Sequence, residues 1–318
     1  MIDKMARGIA KHPKTVLIVC LILLIPSIIC YLNTFVNYDI LSYLPEDLNS
    51  VQGEHILDKT FNNAASAIVV IENEDQKTAV KLKEEISEID GVSNVMWVDD
   101  IADISIPEDM LPDDLKNVFY SKDGNATLMM VQFTQGGASE STMDAIKSIR
   151  KCMNKNMFMS GVSTIMYDTK ALADAQAPLY VVIAIVLALI VLMFTLKSYV
   201  LPFVLLMALC TAVVYNMGTN IFFGQISYIT QCIAAILQLG VTMDYSVFLM
   251  DRYEEECKYN DDRTMAMASA ISSTFVSLAG SSLTTLFGFL ARCFMSFKLG
   301  LDIGLVMAKG VLLGVITV

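Results

Sequence analysis

Apolar positions follow two rhythms along this chain. The first is the long unbroken run: residues 15–33, interrupted only by Pro26, and later 178–196, 200–218, 227–250, 271–295 and 300–318. A hydrocarbon layer of about 30 Å is crossed by about 20 residues of helix, so each run predicts a transmembrane helix, six in all. The second rhythm lies between the first and second runs. Ser66–Glu72 is a β-branched segment suited to a strand, 92–98 and Ala126–Phe133 read the same way, and 157–159 is a weaker fourth strand. Residues 76–89 place Val80, Leu82, Ile86 and Ile89 at helical spacing and close at Gly91; 140–153 repeat the pattern with Met143, Ile146 and Ile149. The order β-α-β-β-α-β is the split βαβ arrangement of ferredoxin-like domains. Residues 107–122 form an acidic, partly helical insertion between the middle strands. The expected layout is therefore residues 1–33 as N-terminus and first span, 34–177 as an α+β domain, and 178–318 as spans two to six.

Composition agrees with the pattern. Of 318 residues, 55% are hydrophobic and 17% charged, whereas a soluble surface needs roughly a quarter charged. Residues 34–177 carry 24 of the 33 acids but only 11 of the 22 bases. A domain this acidic repels phosphate backbones, which excludes nucleic acid as a partner. Lys4, Arg7, Lys11 and Lys14 precede the first span, so the N-terminus is expected in the cytoplasm and the acidic domain outside it. The first span lacks a small-x-small cleavage site after it and reads as an uncleaved anchor. Arg252, Lys258 and Arg263 then fall on an inner loop, while Arg292 and Lys298 are a mild exception. Of the seven cysteines only Cys152 lies outside, so no internal disulfide is expected. His12 and His55 fall on opposite sides, and Asp99, Asp100 and Asp103 lack the glycine turn and closing glutamate of a calcium loop, which leaves them as a solvated acidic face. No metal site, nucleotide loop or nucleophile motif is read, so neither cofactor nor enzymatic activity is expected.

The fourth run holds the chemistry. Asp244 lies about six residues from its inner end, and a carboxylate at that depth needs a partner, water or a proton. Loss of hydration favours the neutral form, which lets such a group exchange protons near neutral pH. Gly240, one turn away, leaves room for water or a neighbouring helix, and Tyr245 supplies a hydroxyl that passes or holds a proton. The plainer alternative is a structural hydrogen bond from Asp244 to another helix. In the fifth run Ser277, Ser281, Thr284 and Gly288 recur at helical spacing, either as close-packing positions or as the wall of a water path. Lys309, about nine residues into the sixth run, is either a counter-ion for Asp244 or for a carboxylate in a half that this chain lacks, or a side chain that snorkels outward.

Gly240-x-x-x-Asp244-Tyr245 followed by Phe248-Leu249-x-x-Arg252-Tyr253-x-Glu255 resembles the fourth span of the MMPL branch of the resistance–nodulation–division (RND) transporters. The segment from Ser281 to Leu290 and the layout of one span, an outer domain and five spans resemble that family as well. The resemblance implies a membrane protein with an RND-type half and an extracytoplasmic porter domain. It also implies export of lipids or hydrophobic small molecules across the cytoplasmic membrane, driven by protons through Asp244 and Tyr245. Family members carry a second six-helix half, so this chain is expected to be a fragment; the sequence leaves oligomeric state open. Three other readings compete: a subunit of the Sec protein-export motor, a sterol-sensing relative, and a membrane scaffold that transports nothing.

Overall fold

The computed structural model describes residues 2–61, 65–102 and 110–318. They divide into two units, one comprising the chain up to Leu44 and from Ala173 onward, the other Pro45–Leu172.

In the first unit a short amphipathic helix, α1 (Ile2–Lys11), precedes α2 (Pro13–Leu32), which starts with Pro13 in its first turn, where the missing N–H costs nothing. The strand β1 (Phe35–Asn37) follows α2.

The second unit contains α3 (Asn49–Phe61), β2 (Ser66–Glu72), α4 (Gln76–Ser87), β3 (Val92–Met96), α5 (Asp113–Phe119), β4 (Ala126–Phe133), α6 (Glu140–Cys152) and β5 (Met157–Ser160). Its four strands form one antiparallel sheet in the order β3-β4-β2-β5. Burial alternates along β2: Ala67, Val69 and Ile71 point into the core and their neighbours do not. That period of two is what a sheet covered on one face imposes. Leu82 and Ile86 of α4 and Ile146 and Ile149 of α6 cover the face, together with Met129, Val131 and Phe133 of β4. Asp75 and Ser139 cap the two helices by accepting the backbone N–H groups of Thr78 and Thr142. Trp97, the only tryptophan of the sequence, is fully buried and donates from Nε1 to Thr127 Oγ1 at 2.8 Å. The strand read as 92–98 stops at Met96 because Val98–Asp100 turns into a 3₁₀ segment, locked when Asp100 accepts the Trp97 N–H. Asp99 and Asp100 hold Lys83 at 2.6 and 2.7 Å, so two of the three aspartates form an ion-pair cluster; Asp103 lies outside the described residues. The insertion read at 107–122 is described from residue 110 on and carries α5.

The helix α7 (Val162–Thr195) leads back to the first unit. There it is followed by α8 (Leu201–Gly218), β6 (Gln225–Ser227), α9 (Tyr228–Glu256), α10 (Arg263–Ala291) and α11 (Lys298–Thr317). Among the described residues six helices, α2 and α7 to α11, are long and apolar enough to cross a membrane. The outermost is α2, with no buried residue, and the most enclosed is α11, which packs on α8, α9 and α10. Close approach depends on glycine: a methyl at Gly314 would overlap the Thr242 side chain, and one at Gly310 would lie 2.6 Å from Asn216 Nδ2. Short elements tie the helix ends together. The strands β1 and β6 pair in parallel, Val36 opposite Ile226, and the Tyr38 and Tyr228 rings stack at 5.6 Å. Burial, reinforced by the hydrogen bond from its hydroxyl to Asp174, pushes the Tyr38 phenol well above its ordinary pKa.

Candidate functional site

The α9 helix starts because Ser227 Oγ accepts the Ile229 N–H and Asp302 of α11 accepts both the Ser227 N–H and the Thr230 hydroxyl. The first satisfies an N–H that a helix start leaves open, and the other two fix the N-cap backbone and the first-turn hydroxyl to α11. From there α9 presents two faces. Thr230, Ala234, Gln238, Thr242 and Tyr245 are buried. Gly240, Asp244 and Phe248, spaced at i, i+4 and i+8, are exposed on the other side.

That open face is one wall of a groove, and α10 is the other. A cavity of about 360 Å³ is lined by Gly240, Asp244, Tyr245 and Phe248 of α9 and by Ser281 and Thr285 of α10. A second, of about 400 Å³, shares Phe248, Leu278 and Ser281 with the first and continues past Ser277 and Thr274 to Arg252. Thr274 Oγ1 is buried there without a hydrogen-bond partner among the described residues. Arg252 ends the groove, bonded to Glu255 at 2.6 Å, Glu256 at 3.1 Å and Ser273 Oγ at 3.1 Å.

The structure thus brings Asp244, Tyr245, Gly240 and Ser281 to one cavity and Ser277 to its extension. Thr284 and Gly288 share the exposed side of α10. Thr284 donates to the Ser281 carbonyl at 2.7 Å, and Gly288 has open space where a side chain would project. Tyr245 is 4% exposed, with its hydroxyl at Ser282 of α10, whereas Asp244 has no hydrogen bond or ion pair among the described residues. Among the described residues no helix covers that face of α9.

Lys309 is not brought to Asp244. Its ammonium donates to the Asn216 carbonyl at 2.9 Å and to Asn220 Oδ1 at 2.5 Å, and lies 4.9 Å from the centre of the Phe223 ring. Asn216 Nδ2 in turn donates to Gln238 Oε1 at 2.8 Å, and Gln238 Nε2 to the Gly310 carbonyl at 3.3 Å. Sequence reading missed this buried network and the Asp302 cap. The signals were present: an acid two turns before Lys309 on the same face of α11, and amides inside apolar runs.

Six helices among the described residues long and apolar enough to span a bilayer, two of them forming a groove that carries a carboxylate, define a polytopic α-helical membrane protein. The chain matches the MMPL family over residues 42–318 and belongs to that family. It is 23% identical over 228 residues to a protein of Mycobacterium tuberculosis named "Probable transport protein MmpL12", covering 67% of this chain and 20% of that protein. A sequence from Methanocaldococcus jannaschii, whose name describes only a membrane protein, is 22% identical over 256 residues, 74% of this chain and 66% of that one. A membrane protein of Streptomyces coelicolor, ActII-3, is 27% identical over 148 residues, 46% of this chain and 21% of its own length. The chain therefore spans only about a fifth of two of these relatives.

Proposed function

We propose that this chain is one half of a proton-driven exporter of lipids or hydrophobic small molecules, working across the cytoplasmic membrane. The observation that carries the reading is the position of Asp244: a carboxylate in the middle of an apolar helix, on an open groove, beside hydroxyls of a second helix. An ionised group at that depth is stabilised only by pairing, hydration or protonation. Protonation removes the charge and the need for water, so the two states favour different packings of whatever covers the groove, and a proton can bias the conformational equilibrium. Tyr245, buried beside Asp244, holds or passes the proton. Ser277 and Ser281 line the water path, with Gly240 leaving room for it. Thr284 and Gly288 make close contact with the covering helices. A second six-helix half supplies that cover, in line with the limited share of the relatives that this chain spans.

The N-terminus is cytoplasmic in this reading, by the four basic residues before α2. Residues 34–177 form an extracytoplasmic porter domain of ferredoxin-like type; the antiparallel sheet with two helices on one face supports this. The transport role is supported by the family and by the name of MmpL12. The test is flux of a fluorescent lipid or lipophilic dye in proteoliposomes of the full-length protein under an imposed pH gradient. Export that follows the gradient and stops when an ionophore collapses it is expected. Flux indifferent to the gradient overturns proton coupling, and no flux of any such substrate returns the protein to the scaffold class.

A further inference from the structure

The helix α1 divides into three arcs with different surroundings. At 3.6 residues per turn, Ala6, Ala10 and Asp3 fall within about 60° of one another, Ile2, Ile9 and Met5 within the next about 60°, and Lys4, Arg7 and Lys11 within about 60° on the side facing away from the apolar arc. The first arc is engaged: α1 packs on α10, Ala6 is fully buried, and Asp3 accepts a hydrogen bond from Ser272. The second is not, with Met5 49% and Ile9 38% exposed. The third is exposed too, and among the described residues Lys4, Arg7 and Lys11 have no acidic partner.

The level of α1 in the bundle is set on both sides. After His12, where the backbone breaks from helical geometry, α2 begins and runs with no buried residue. On the other side α1 lies where α9 ends and α10 begins, and Arg7 borders a cavity of about 320 Å³ with Arg252, Glu256 and Met265. This is the border of the apolar layer. A helix there with an apolar face and, on the opposite side, a basic face matches one surface chemically: acyl chains on one side and anionic headgroups on the other.

We propose that α1 binds acidic phospholipid, with Lys4, Arg7 and Lys11 on the headgroup phosphates, Met5 and Ile9 in the acyl border, and Ala6 and Asp3 holding the helix on α10. Free phosphate would leave the apolar arc without a role. Because α10 also forms one wall of the Asp244 groove, lipid bound at α1 bears on that helix directly.

The experiment is native mass spectrometry of the intact purified protein, titrated in detergent with phosphatidylglycerol or phosphatidylcholine. The wild type is expected to retain phosphatidylglycerol in preference. Lys4→Gln and Arg7→Gln should each weaken it about fivefold, the worth of one basic residue at an anionic surface, with phosphatidylcholine unchanged and Lys4→Arg like wild type. Single substitutions leave the other basic residues before α2 to direct insertion. Lys151→Gln, on α6, is the control and should change nothing. Added salt should reduce phosphatidylglycerol retention alone. Equal retention of the two lipids, or unchanged retention in both Gln variants, overturns the proposal. So does displacement by equimolar inorganic phosphate, which would identify a simple anion site.

Discussion

A single methyl group decides how closely α11 can approach α9. Gly314 faces the Thr242 side chain with no room for a Cβ. Gly314→Val is therefore expected to lower stability by about 1–3 kcal/mol, the range for overpacked cores, read as a fall in melting temperature in detergent. Gly288→Ala on α10 should leave this chain's stability unchanged, since nothing lies within 4 Å of it. Sequence alone separates these two glycines poorly, because both sit in apolar runs and differ only in what lies opposite. Asp244 and Tyr245 were legible for the opposite reason: a charge in an apolar run stands out whatever surrounds it. Lys309 stood out equally, yet its partners are the Asn216 carbonyl of α8 and the side-chain amide of Asn220, just beyond the end of that helix. No periodicity within α11 carries that information. Replacing Asp302 by Ala should cost about 1–3 kcal/mol by leaving the Ser227 N–H and the Thr230 hydroxyl without their acceptor; Asp302→Asn, which keeps an acceptor oxygen, should cost less.

Among elements, those whose burial matches their period were readable and the short ones were not. The strand β2 alternates over seven residues and β4 runs for eight, and both coincide with the segments read from sequence. The strands β1 and β6 are three residues each and pair across 190 positions, too short and too distant for a local pattern. The helix α1 carries an amphipathic period, but its basic residues serve equally as the topology signal before α2, so the pattern alone does not separate the two roles. In the sheet unit, burial pulls the Lys83 ammonium down, but its bonds to Asp100 and Asp99 outweigh that and raise it. Burial likewise raises Asp100, but Lys83 and the Trp97 N–H more than offset it, so its carboxyl lies below the ordinary value. A depressed carboxylate stabilises the fold above its unfolded pKa, and the contribution is lost as pH falls through the folded value. In acid unfolding followed by Trp97 fluorescence, stability should therefore fall as pH drops below the ordinary aspartate range, and Asp100→Asn, which lacks this contribution at every pH, should be less stable near neutrality and flatten that dependence. An unchanged acid limb in that variant would remove Asp100 from the account.

For the whole molecule, six spans and one acidic domain follow from run length and charge, because the bilayer sets both on a scale of many residues. What covers the open face of α9 and α10 is not encoded in their own pattern: Gly240, Asp244, Ser277 and Ser281 look alike on a groove facing water, lipid or another helix. Topology is checked by single cysteines introduced at Asp75 and Lys258, in a background without native cysteines. An impermeant thiol reagent on intact cells should reach position 75 and not 258, and the reverse pattern would invert the proposed orientation. Proton coupling through Asp244 is the claim on which the functional reading depends. Its most direct measurement is pH-gradient-driven export in proteoliposomes by full-length protein with Asp244→Asn, at matched expression and incorporation. Export should fall to background while the protein still inserts and binds substrate, and Tyr245→Phe should retain part of the activity. Wild-type export by the Asn variant would contradict proton coupling at Asp244 and leave it a packing residue.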